Sequence, residues 1–251
     1  MIARHSQVLQ LNIEHDYDIM GRKTQTSWAS GENPQFSILD RGLRELEDSI
    51  PDNFKMSAEN TYLFKSCARL NLYFGLHILI AQSFNDLYRI GVSQLVFPYH
   101  ATKWIRENAP REFIKDAHRM CASKAVYIGS LLKDIWHCDK SSIVDVPYVQ
   151  HAQVCSSVLV SSLISWKEPE PLLPEVSYQD YRETLESNVR ILAYLKKYIK
   201  ADLYYESANQ ALKRFNEAFS PTMMVQPQHH RHGSWTATTQ VNSGSSNLTL
   251  V

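Results

Sequence analysis

The chain has 251 residues, 44% hydrophobic and 21% charged, an ordinary globular composition sufficient for one large domain or two small ones. Lys plus Arg and Asp plus Glu both total 26, so the formal net charge is zero. That balance gives no support for a basic nucleic-acid-binding surface.

Residues 1–34 are mixed and polar and read as an irregular lead-in. Met1 to Asp18 lacks the continuous apolar core of a signal peptide, so an intracellular, soluble protein is expected. From Ser37 to Ile50, Ile38, Leu39, Leu43, Leu46 and Ile50 recur at helical spacing, and Pro51 stops the pattern. Ser57 to Ile90 reads as one long helix. Leu70, Tyr73, Phe74, His77, Ile80, Ala81, Phe84, Leu87 and Tyr88 form one face, and Leu72, Leu76 and Leu79 a second. A helix apolar on most of its circumference is expected to be buried, and this one is expected to be the long central helix around which an all-α domain is built. Arg69, Asn71, His77, Gln82 and Asn85 interrupt the run, which therefore falls short of a membrane span. Gly91 is the expected terminator.

His100 to Asn108 reads as a short helix. Pro110 fits a first helical turn, and Ile114, Ala117, Cys121, Ala125, Ile128, Leu132 and Ile135 form the next stripe. Asp145 and Pro147 open a helix faced by Tyr148, Ala152, Cys155, Leu159, Leu163 and Trp166. A proline-rich break over 168–174 separates it from a helix that Ser177 and Asp180 cap. A last helix starts near Asp202 and ends at Ser220-Pro221. No segment alternates with period two, so the fold class is all-α, with about six main helices over 35–219. Residues 220–251 hold no Asp or Glu and few large apolar groups, and are expected to be disordered.

Candidate chemistry is sparse. His229, His230 and His232 are common metal-ligand types, but nothing fixes their geometry. Asp134 and His137 share a helix face, yet the further inward carboxylates of a di-iron bundle are missing, so His137 reads as a helix-terminal histidine. The cysteines Cys67, Cys121, Cys138 and Cys155 form no Cys-x-x-Cys pair and read as free thiols. No glycine-rich phosphate loop, nucleophile elbow or zinc-protease motif occurs. No enzyme activity, catalytic residue, resident metal or cofactor is therefore expected.

The segment LHILIAQSFNDLYRIGV (76–92) resembles a motif of the regulatory domain of fungal-specific transcription factors, through Leu76, His77, Leu87, Tyr88, Arg89 and Ile90. Ala81-Gln82 stands where that family carries a Tyr-His pair. The helix before Ile50-Pro51-Asp52, the helix bearing Cys121 and the later helices follow in similar order over about 35–219. The resemblance implies a transcription regulator of the nucleus, whose helical region lies C-terminal to a six-cysteine zinc cluster. This chain contains no such cluster, so zinc binding and DNA contact would belong to a module it lacks. The implied partners are other transcription proteins or a homologous regulator, with no membrane. Two alternatives stand beside it. One is a helical small-molecule-binding protein or enzyme, with a pocket around His77, Tyr73, Tyr88 and Arg89. The other is a helical interaction scaffold outside transcription.

Overall fold

The expected long helix is two helices. In the computed structural model, which describes residues 34–92 and 109–219, the chain leaves the helix at Cys67 and re-enters one at Leu70. Ala68 lies in the left-handed region, with φ of 53°. Arg69 N–H donates to the Phe64 carbonyl (2.8 Å) and Ala68 N–H to the Lys65 carbonyl (3.1 Å). These two bonds are the paired closure of a Schellman motif, in which a residue at positive φ reverses the chain after the last turn. The reversal lets Phe64 stack on Tyr73, with ring centres 4.5 Å apart and planes 8° off parallel. Alanine pays about 1–2 kcal/mol for left-handed backbone, and glycine pays about 0.5–1 kcal/mol in unfolded-chain entropy. Ala68→Gly is therefore expected to stabilise the fold by roughly 0.5 kcal/mol. Urea unfolding measures this, and a loss of stability would contradict the assigned turn.

Seven α-helices occur among the described residues, and the all-α class holds. They are α1 (Pro34–Asp48), α2 (Ala58–Ser66), α3 (Leu70–Tyr88), α4 (Arg111–Cys138), α5 (Val146–Ser165), α6 (Tyr178–Leu195) and α7 (Asp202–Ala218). Short 3-10 turns cover Asp52–Phe54 and Arg89–Gly91. All described residues belong to one compact unit. The lead-in up to residue 33, the segment 100–108 where a short helix is expected, the three tail histidines and the tail itself lie outside the described residues.

Helix α3 packs against α1, α2, α4 and α5, and α4 packs extensively against α3, α5 and α6. The 28 residues of α4 span about 42 Å. Ala117, Cys121, Ala122, Ala125, Ile128, Leu132 and Ile135 are fully buried along one face, as the spacing predicts. Small residues there let neighbours approach closely. A Cβ on Gly91 would meet the Ala117 Cβ at 2.4 Å, and one on Gly129 would meet Thr184 Cγ2 at 2.3 Å. Gly91 thus serves close packing of the turn after α3 against α4.

Helix ends follow local chemistry. Asp145 caps α5 through Val146 N–H, with Pro147 in the first turn. Ser177 and Asp180 form a reciprocal capping box at the start of α6. Two buried cysteines pack between helices: Cys155 Sγ donates to the Ala125 carbonyl at 3.0 Å, and Cys121 lies fully buried on α4. Cys67 is exposed and Cys138 half-buried.

One part of the burial pattern differs from expectation. On α3 the face of Tyr73, Phe74, His77, Ile80, Ala81, Phe84, Leu87 and Tyr88 is buried, but Leu72 and Leu79 are 60% and 46% exposed. The second apolar face of that helix is open.

Candidate functional site

The four motif side chains form two separate anchors on α3. At its N-terminal end, Tyr73 and His77 hold the connection before α2. Tyr73 donates its hydroxyl to the Lys55 carbonyl (2.7 Å) and accepts from Ser57 N–H (3.2 Å). His77 Nε2 lies 2.8 Å from the Phe54 carbonyl, and since a carbonyl only accepts, that nitrogen carries the proton. The two rings meet edge-on at 5.4 Å. His77 is buried, packed and hydrogen-bonded between α3 and this connection.

Tyr88 works at the opposite end, fifteen residues or about 22 Å along the axis. It donates to Asp40 Oδ1 (2.8 Å) and accepts from the Arg44 guanidinium (3.2 Å), while Arg44 Nε pairs with Asp40 Oδ2 (2.9 Å). This triangle fastens α1 to α3. Burial and then the Asp40 contact push the Tyr88 phenol up to about 12. Arg89 pairs with Asp86 at 3.3 Å. Burial raises the Asp86 carboxyl, and Arg89 and Gln82 pull it back. The Asn85 side chain is fully buried beside this group, and neither end of its amide has a hydrogen-bond partner. The four residues named from the sequence do not converge on one cavity.

Among the described residues, an open cavity lies elsewhere, between α2 and the last turns of α4. Its volume is about 650 Å³. Met56 and Phe74 supply apolar lining, Lys65 and Tyr62 come from α2, and Asp134 and His137 from α4. Its position follows from the α2–α3 reversal, which swings α2 toward the end of α4. Lys65 Nζ secures that approach by binding the Cys138 carbonyl at 2.8 Å. A cation at a helix C-terminus is favoured by the exposed carbonyls and the helix dipole.

Polar groups on the α4 wall are mostly acceptors. His137 Nδ1 lies 2.6 Å from the Lys133 carbonyl and so carries the ring proton, which leaves Nε2 as an acceptor in the neutral ring. The Asp134 carboxyl is raised by burial, with His137 and Lys133 opposing that shift. Ser57 and Thr61 spend their hydroxyls on the α2 backbone, Ser57 Oγ accepting from Asn60 N–H and Thr61 Oγ1 donating to the Ser57 carbonyl. The wall thus suits a small ligand with an apolar body and a donor end, such as an amine or an alcohol. Among the described residues, no three His, Cys, Asp or Glu side chains gather to hold a metal. No helix among them is long and apolar enough to cross a membrane.

Sequence spacing places Asp134 and His137 on one helix face, but gives no sign that α2 closes over them. Lys65, Tyr62 and Met56 reach the cavity only through the reversal at Ala68. Comparison with protein-family models, curated proteins and solved structures found no match to this chain.

Proposed function

We propose that this chain is the regulatory part of a fungal transcription regulator, non-catalytic and nuclear, reaching DNA through a zinc-cluster module carried by a longer chain or a partner. The observation that carries the reading is the segment 76–92, spanning the end of α3 and the 3-10 turn after it, whose Leu76, His77 and Leu87 to Ile90 resemble the family motif. Two features are consistent with it. The all-α fold is the class the resemblance implies. The motif residues His77 and Tyr88 act as interhelix anchors, a structural use that suits a domain without catalysis.

The cavity between α2 and α4 supplies an input for such a domain. A small amine or alcohol seated on Asp134 and His137 would bridge helices otherwise joined there by Lys65 and the Cys138 carbonyl. Its binding energy would then bias the α2–α4 contact, as a ligand must if it shifts a conformational equilibrium.

The test fuses the full chain to a heterologous DNA-binding module in yeast and reads a reporter gene. Reporter output is expected to change several-fold against the module alone, and a fluorescently tagged chain is expected in the nucleus. Output equal to the module alone, together with cytoplasmic fluorescence, would sink the reading.

A further inference from the structure

The open face of α3 has the spacing of a helix-pairing seam. Leu72, Leu76, Leu79 and Ser83 follow one another at intervals of four, three and four, the period that keeps one stripe facing a partner helix. Leu72 and Leu79 are exposed, and Leu76 and Ser83 are half-buried. The outward face of a surface helix is normally polar. Here it carries three leucines and no charge until its ends, where the same register places the exposed Arg69 and the half-buried Asp86.

We infer that this seam binds a second copy of the chain, with the two α3 helices antiparallel about a two-fold axis between Leu76 and Leu79. The charges select both occupant and direction. In antiparallel pairing Leu76 meets the partner's Leu79, Leu72 meets the partner's Ser83, and Arg69 meets the partner's Asp86. The opposite charges then pair at both ends, since a two-fold axis makes every contact twice. Parallel pairing in register would set Arg69 against the partner's Arg69 and Asp86 against the partner's Asp86. Asp86 has an oxygen for this role, because Gln82 and Arg89 both contact its Oδ1.

The seam is short. One helix face of six positions falls below the ~800 Å² per partner of a standard stable interface. The dimer is therefore weak, dissociating in roughly the micromolar range or above.

The test uses the full chain. Sedimentation velocity from micromolar to near-millimolar concentration is expected to show a rising apparent mass that approaches twice the monomer. Leu79→Glu places a carboxylate in the seam centre on an exposed position. It is expected to hold the chain monomeric throughout, with an unchanged circular dichroism spectrum. Direction is read by oxidation in a Cys67→Ser background. Leu72→Cys together with Ser83→Cys should give a covalent dimer, and Leu72→Cys alone should not. Crosslinking by Leu72→Cys alone would mean parallel pairing and would overturn the inference. So would a wild-type chain that stays monomeric at every concentration. A Leu72→Cys thiol shielded from an alkylating reagent in that monomer would assign the face to another segment of the same chain.

Discussion

Replacing Phe84 by alanine is expected to cost about 3–5 kcal/mol of folding stability, the range for emptying a fully buried aromatic site. Phe84 is completely buried on α3 at the point where α1, α3 and α4 meet. Lys124 from α4 places its ammonium 4.3 Å from the ring centre, and the Arg44 guanidinium of α1 lies 5.9 Å away. Lys124 also pairs with Glu47 of α1 at 2.7 Å. The ring is thus the surface on which two cations from different helices rest, each such contact adding about 0.5–1 kcal/mol at partly exposed sites. Phe84→Leu keeps most of the volume and loses the ring face, so a smaller loss of about 1 kcal/mol is expected. Urea midpoints at unchanged slope measure both losses. Hydrogen exchange distinguishes where the damage falls: amides of α1 should open more than those of α6 and α7. A uniform rise, or an alanine variant as stable as wild type, would show that Phe84 does not join these helices.

Most helices are legible in the sequence because their burial is one-sided. The stripe from Ala117 to Ile135 on α4 appears at intervals of three and four and is fully buried, whereas α5 is buried well beyond its Tyr148 to Leu163 stripe, with Val158 to Leu163 buried in succession. The Ser177–Asp180 box is equally visible, since a cap is a local bond between residues three apart. The break between α2 and α3 is not visible. A Schellman reversal is usually signalled by glycine, and here the left-handed position is held by Ala68, the best helix former. The signal for the reversal is tertiary: Phe64 gains a stacking partner in Tyr73 only if α2 folds back.

The reversal at Ala68 also creates a pocket that sequence spacing does not signal. A continuous helix from Ser57 to Ile90 would carry Lys65 and Tyr62 away from α4, and the cavity beside Asp134 and His137 would not exist. His77 and Tyr73 invite a pocket reading because polar groups on an apolar face need partners. They find those partners in the carbonyls of Phe54 and Lys55, which sequence spacing cannot reveal. Likewise, three leucines at helical spacing imply burial only if enough neighbours exist to cover every face. The helices contacting α3 cover its other faces and leave the Leu72–Leu79 stripe exposed.

Acid is expected to weaken the fold well before most carboxylates titrate, and His151 is the principal cause. The ring is 5% exposed on α5, and its Nδ1 has no hydrogen-bond partner. Burial alone lowers its pKa from 6.5 to about 4. The folded chain therefore keeps His151 neutral where the unfolded chain has taken up a proton. Because the folded value is depressed, no stability is lost above pH 6.5. Stability falls as pH drops from 6.5 toward 4 and the loss levels off below that. At 1.36 kcal/mol per unit the total is about 3 kcal/mol. His118 is lowered in the same direction by burial, with its contact to the Ser162 carbonyl opposing the shift, so it adds to the acid sensitivity. His151→Leu removes the larger contribution while keeping an apolar group of similar reach. Unfolding free energy measured against pH should then fall less steeply than in wild type, by up to about 1.4 kcal/mol per unit at the steepest point. No charged neighbour contributes to the His151 shift, so carboxylate effects largely cancel in that comparison. Parallel pH curves for the two proteins would mean that His151 reaches solvent or a partner in the folded state.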